Sequence, residues 1–125
     1  MGFGKGVRLQ GRMALDPISQ SPAAVAGKVF FDRRELSALL SLYGRMVAQG
    51  QWRDYAIDGL KDSAVFSVFR RTSESPLYRF EKRPALARKQ GAWAVITQGG
   101  LIMKRGHELG QVLKVFDRSR FAVVD

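Results

Sequence analysis

The sequence predicts an α+β domain in which an N-terminal amphipathic helix packs on a four- to five-stranded antiparallel meander, closed by a short C-terminal helix. Three observations predict it. Leu36, Leu39, Leu40, Tyr43, Met46 and Val47 recur at spacings of three and four, the period of a helix with one buried stripe. Between positions 64 and 105, short runs rich in Val, Ile, Phe and Tyr alternate with turn residues, as consecutive strands do. Leu109, Val112, Leu113 and Phe116 then return to helical spacing.

The first helix carries its own start and stop. Asp32 follows the apolar run Val29-Phe30-Phe31 and stands three residues before Glu35, the spacing of a reciprocal capping box, and Gly50 supplies the stop. Gly44 inside the helix costs about 1 kcal/mol relative to Ala. It either permits close packing of another element or is simply tolerated. Trp52 to Asp58 reads as a strand entering a turn at Asp58-Gly59, and Ala64 to Thr72 as a second strand. Ser73 to Pro76 turns the chain. Leu77 to Arg83 sets Tyr78, Phe80 and Lys82 against Leu77, Arg79 and Glu81, a strand with one aromatic and one charged face. Ala92 to Thr97 and Leu101 to Lys104 flank Gln98-Gly99-Gly100, a hairpin signal. The second helix is expected to start near Gly106 or His107.

Residues 1–27 hold five Gly and two Pro with no sustained period, and read as a flexible extension. Nothing ahead of Met13 reads as structural. Residues 28–117 form the single α+β domain and 118–125 a fraying tail. With 125 residues and 46% apolar content, the chain supports one modest core. The apolar runs Ala23 to Ala26 and Ala92 to Ile96 fall far short of the roughly 20 residues needed to cross a bilayer, and no secretory leader or membrane association is expected. Zero cysteines remove thiolate metal sites and thiol nucleophiles and fit a cytoplasmic setting; a single His removes His-rich metal cages.

The run Phe31-Asp32-Arg33-Arg34-Glu35-Leu36, with Leu42-Tyr43-Gly44-Arg45-Met46, Trp52-Arg53-Asp54-Tyr55-Ala56-Ile57-Asp58 and Pro76-Leu77-Tyr78-Arg79, resembles a family of small alphaproteobacterial proteins classed as a domain of unknown function. The resemblance covers about Lys28 to Phe116, including Glu81-Lys82-Arg83-Pro84 and Lys104-Arg105-Gly106-His107-Glu108-Leu109. It implies a free-standing bacterial cytoplasmic domain and carries over no activity, cofactor or functional residue.

Charge is the pronounced chemical property. The chain carries a formal +10, of which residues 64–106 hold +7, with nine Lys and Arg against Glu74 and Glu81. Antiparallel strands send alternate connections to opposite ends of a sheet. Arg70 and Arg71 therefore belong to one end, called lower here. Lys82, Arg83, Arg88, Lys89, Lys104 and Arg105 converge on the other, beside His107 and the free N–H groups of the second helix.

Such a cluster fits a phosphate backbone, and six contacts on duplex DNA would give a log–log salt slope of about −5. Nucleic acid or another polyanion is the first candidate partner. An acidic protein partner docked by a regulatory adaptor is the alternative, and pairing of an edge strand with a second copy, giving a homodimer, is a third. Phe66, Phe69, Phe80 and Trp93 read as core rather than as base-stacking platforms.

No catalytic residue is identified. Asp54, Asp58 and Asp62 are spaced by four, but turn chemistry at Asp58-Gly59 and Asp62-Ser63 explains them. His107-Glu108 reads as a solvated helix start or an anion contact rather than a proton relay. No enzyme, metal site or cofactor is expected.

Overall fold

Helix α1, Arg33–Ala48, begins where the sequence asks for it. The Asp32 carboxylate accepts from the Glu35 N–H at 2.8 Å, and the Asp32 N–H donates to Glu35 Oε1 at 2.9 Å, closing the capping box. Gly50, at φ +76°, takes the left-handed conformation that ends the helix. The computed structural model describes residues 7–10, 27–71 and 75–124, with side chains described over 27–71 and 75–117.

The strands β1 (Val7–Gln10), β2 (Asp54–Gly59), β3 (Ala64–Phe69), β4 (Tyr78–Lys82), β5 (Trp93–Thr97) and β6 (Ile102–Gly106) form one antiparallel sheet in chain order. Strands β2 to β6 are the expected meander. The hairpin between β5 and β6 closes with Gly100 N–H donating to Thr97 O at 2.9 Å and Thr97 N–H to Leu101 O at 2.8 Å, with Gly100 at φ +90°. A 3₁₀ turn, Pro84–Leu86, opens the connection from β4 to β5. Helix α2, Leu109–Val124, follows β6.

Both helices cover the same face of the sheet. Leu36, Leu39 and Leu42 from α1 and Leu109, Val112, Leu113 and Phe116 from α2 join Tyr55, Ile57, Phe66, Val68, Phe80, Trp93 and Val95 in one core. These sheet residues sit at alternate positions, as a pleated strand requires. Trp52, just ahead of β2, is 2% exposed and lies where the two helices and the sheet meet. Its ring centroid is 6.4 Å from Tyr43 of α1, 5.4 Å from Phe116 of α2 and 6.1 Å from Phe80 of β4. The other face carries Arg79 and Glu81 among small buried residues such as Ala56, Ser67 and Ala94, and is partly wet.

Several boundaries differ from expectation. Residues 7–10 form an edge strand on β2, with Val7 opposite Gly59 and Leu9 opposite Ile57, inside the segment read as flexible and ahead of Met13. Four residues of alternation are too few to register as a period. Residues 1–6 and 11–26 of that extension lie outside the described residues. Helix α2 starts two residues after His107 and runs on to Val124, where a tail was expected, because Phe121 to Val124 contains no helix breaker. Strand β3 stops at Phe69, three residues short of the expected end, and Thr72 to Glu74 lie outside the described residues.

Asp58-Gly59 is strand rather than turn. The turn is Leu60 to Ser63, closed by Leu60 N–H donating to Ser63 O at 2.8 Å. Gly59 is needed for another reason: a Cβ there would stand 2.6 Å from the Phe30 ring. On α1, Val47 is 41% exposed while Leu42 is buried, so the stripe is rotated from the expected one toward Leu36, Leu39 and Leu42. Gly44 is exposed, with nothing within 4 Å of a built Cβ, which makes it a tolerated glycine rather than a packing site.

Two stability outcomes follow in chemical denaturation. Gly44→Ala should stabilise the protein by up to about 1 kcal/mol, since the substitution meets no neighbour and improves helix propensity. Phe116→Ala should destabilise it by about 3–5 kcal/mol, because it empties the junction between α2, Trp52 and β4. A Phe116→Ala loss below about 1 kcal/mol would mean that α2 does not pack as described.

Candidate functional site

The register places the expected cationic end of the sheet. Lys82 at the end of β4 pairs with Trp93 at the start of β5, which pairs with Gly106 at the end of β6. The connection carrying Arg88 and Lys89 leaves from that same end. It is a tightly bonded loop: Leu86 O accepts from Lys89 N–H at 3.0 Å and from Gly91 N–H at 2.9 Å, and Arg83 N–H donates to Ala92 O at 2.7 Å.

Three contacts fasten this loop to the end of β6. Arg105 Nη1 donates to Gly91 O at 3.2 Å, and His107 Nδ1 donates to Ala87 O at 3.1 Å, which requires the tautomer protonated at Nδ1. Gly91 itself, at φ +108°, lies so close to β6 that a Cβ would stand 2.3 Å from Gly106 O. Sequence reading does not include Gly91 in the site. The available signal is a glycine placed directly before a strand, where close backbone approach calls for one.

The seven residues expected to bind an anion therefore divide. Lys82 is committed to the fold: its Nζ bonds Glu35 Oε1 at 2.6 Å and Phe30 O at 3.0 Å, lies 5.9 Å from the Trp93 ring centroid, and the side chain is 18% exposed. Arg83 pairs with Glu81 at 3.1 Å. Arg105 and His107 spend one nitrogen each on backbone carbonyls, which leaves the Arg105 charge unneutralised. Arg88, Lys89 and Lys104 are exposed, and none has an ion-pair partner among the described residues.

The start of α2 adds less to an anion site than its position suggests. The helix begins at Leu109, and Val112 N–H donates to Glu108 O at 3.2 Å, so Glu108 directly precedes the first turn. A carboxylate there already complements the positive end of the helix dipole.

Of the four aromatic residues expected in the core, Phe66, Phe80 and Trp93 lie there and Phe69 does not. Phe80 and Trp93 are 1% and 6% exposed, Phe31 stacks on Trp93 at 6.0 Å, and Tyr78 is half-buried against Phe116 at 5.1 Å. Phe69 is half-buried and lies on the sheet face away from the helices. Among the described residues, the cationic end thus offers charge without a stacking platform. Asp54 and Asp58 share one face of β2, whereas Asp62 lies in the turn beyond it. Among the described residues, no three of His, Cys, Asp and Glu are grouped to hold a metal ion. Burial, and then the adjacent Asp54 carboxylate, push the Tyr55 hydroxyl above its ordinary pKa.

These features define a class: a two-layer α+β domain in which an anchored loop and the last strand present exposed cations at one end of the sheet. The chain belongs to the family described as "Protein of unknown function (DUF2794)", which it matches over residues 29–113, from the lead into α1 through the first turn of α2. No curated protein and no solved structure matches the chain.

The division of the cations is testable by stability. Lys82→Met should cost about 1–3 kcal/mol in urea denaturation, because it leaves the largely covered Glu35 carboxylate without its cation. Glu35→Gln combined with Lys82→Met should cost less than the sum of the two single changes. Strict additivity would show that the pair is not coupled.

Proposed function

We propose that the protein is a non-enzymatic module that binds nucleic acid or a similar polyanion through the cationic end of its sheet, with Arg88, Lys89, Lys104 and Arg105 as the contacting residues. One observation carries the reading. The loop bearing Arg88 and Lys89 is fastened to the end of β6 by Arg105 and His107, so these charges are presented on a rigid support and not on a free loop. Preorganised cations lose less conformational freedom on contact with a phosphate backbone than free ones.

Binding of this kind is sequence-independent, since the aromatic residues described at this end, Phe31, Phe80 and Trp93, lie in the core. Arg83 stays with Glu81 and Lys82 with Glu35, which lowers the number of available phosphate contacts from six to about four. The expected log–log salt slope on duplex DNA falls accordingly to roughly −3 to −4. A bacterial cytoplasmic setting, where nucleic acid is abundant, belongs to the same proposal.

Fluorescence anisotropy with labelled single- and double-stranded oligonucleotides at two salt concentrations tests it. Arg88→Glu, Lys89→Glu and Lys104→Glu together should abolish binding. The same charge change at the opposite end, Arg53→Glu, Arg70→Glu and Arg71→Glu, should weaken binding only through net charge; all three are exposed there, Arg53 N–H donating to Phe69 O at 2.8 Å. Equal losses from the two triple variants, or no binding at low salt, would defeat the proposal.

A further inference from the structure

Beyond the cationic end, the sheet leaves β6 as an edge. No strand covers its outer side among the described residues, and the half of the strand nearest the hairpin is apolar and open. Leu101, Ile102 and Met103 are 74%, 53% and 39% exposed, a consecutive run at one place on the surface.

Edge strands of stable monomers are normally guarded by charge, proline or a bulge. Here the guards are unevenly placed. A bulge shifts the register so that Ile102 pairs with Ile96 and Lys104 with Val95, leaving Met103 without a partner on β5. Lys104 and Arg105 charge the upper half of the strand, while Leu101 and Ile102 below carry no charge.

We propose that the outer edge of β6 is a docking strand for an extended segment of a partner protein, apolar where it meets Leu101, Ile102 and Met103 and acidic where it passes Lys104 and Arg105. Main-chain hydrogen bonds to the open edge supply affinity in this mode, and alternate side chains supply specificity. Charge selects the occupant. A second copy of this chain would bring another +10 to the same edge, and like charges repel. An acidic segment reverses that sign. Exposed apolar residues in a continuous run are also a recognised mark of interaction surfaces.

Selection from a random peptide display library on the purified full chain tests the inference, followed by anisotropy of the enriched peptide. The expected peptides alternate Val, Ile or Phe with polar residues and place Asp or Glu toward one end. Ile102→Lys with Met103→Lys should weaken the enriched peptide about tenfold, the loss of two or three cross-strand apolar pairs. Leu101→Asp, at a position three-quarters exposed and outside the strand pairing, should weaken it too while leaving far-UV circular dichroism unchanged.

Oligonucleotide binding should survive Leu101→Asp with at most the loss that one added negative charge brings, which separates this edge from the cationic end. Three results would overturn the proposal: peptides without acidic residues, affinity unchanged by both variants, or a wild-type dimer in light scattering that Ile102→Lys with Met103→Lys dissolves. The last would assign the edge to a second copy.

Discussion

The Glu35 carboxylate joins the start of α1 to the sheet, and much of the arrangement depends on it. One of its oxygens accepts from the Asp32 N–H and from Lys82 Nζ, and Lys82 reaches on to the Phe30 carbonyl. Three separate needs meet there: the orphan donors of a helix start, a charged side chain on the core face of β4, and the carbonyl of the segment leading into the helix. Each would be costly to bury alone. Together they satisfy one another, and they fix the helix start over the upper end of the sheet, where Phe31 stacks on Trp93.

That junction also explains why α2 lies beside α1 on one face. Trp52 sits between the end of α1 and the start of β2, and its ring touches residues of both helices and of β4. A large aromatic in that position needs cover on every side, which α1 cannot supply alone. Phe116 provides it, with ring contacts to Trp52, Tyr78 and Phe80, and Arg45 of α1 pairs with Asp117 of α2 at 3.0 Å along the exposed seam. The pair is about two-fifths exposed and adds little to stability; the buried rings hold the helices together.

Elements with internal punctuation were legible in the sequence. The capping box, the Gly50 stop, the Gly99-Gly100 hairpin and the aromatic-charged alternation of β4 each rest on local chemistry, and each is present. What escaped depends on contacts distant in sequence. Gly59 reads as a turn residue until the Phe30 ring is seen against it, and Val7 to Gln10 become a strand only because β2 has an open edge. The end of the sheet that gathers the cations could be read from strand alternation. Which of them stay available could not, since Glu35 lies 47 residues from Lys82 in sequence and its second role appears only in three dimensions.

The fate of the charges illustrates a general constraint on basic domains. Net charge measures what a chain carries, whereas a binding surface consists of cations that folding has left without acceptors. Here the fold consumes the cations closest to its core: Lys82 is drawn in by Glu35, and Arg83 is held by Glu81. Arg105 falls between the two fates, because a carbonyl orients its guanidinium without cancelling its charge. An arginine tied in that way anchors the loop and keeps its full positive charge. The same residue therefore supports the loop of the neighbouring Arg88 and Lys89, so the charge left over after folding is held in place by the contacts that close the loop.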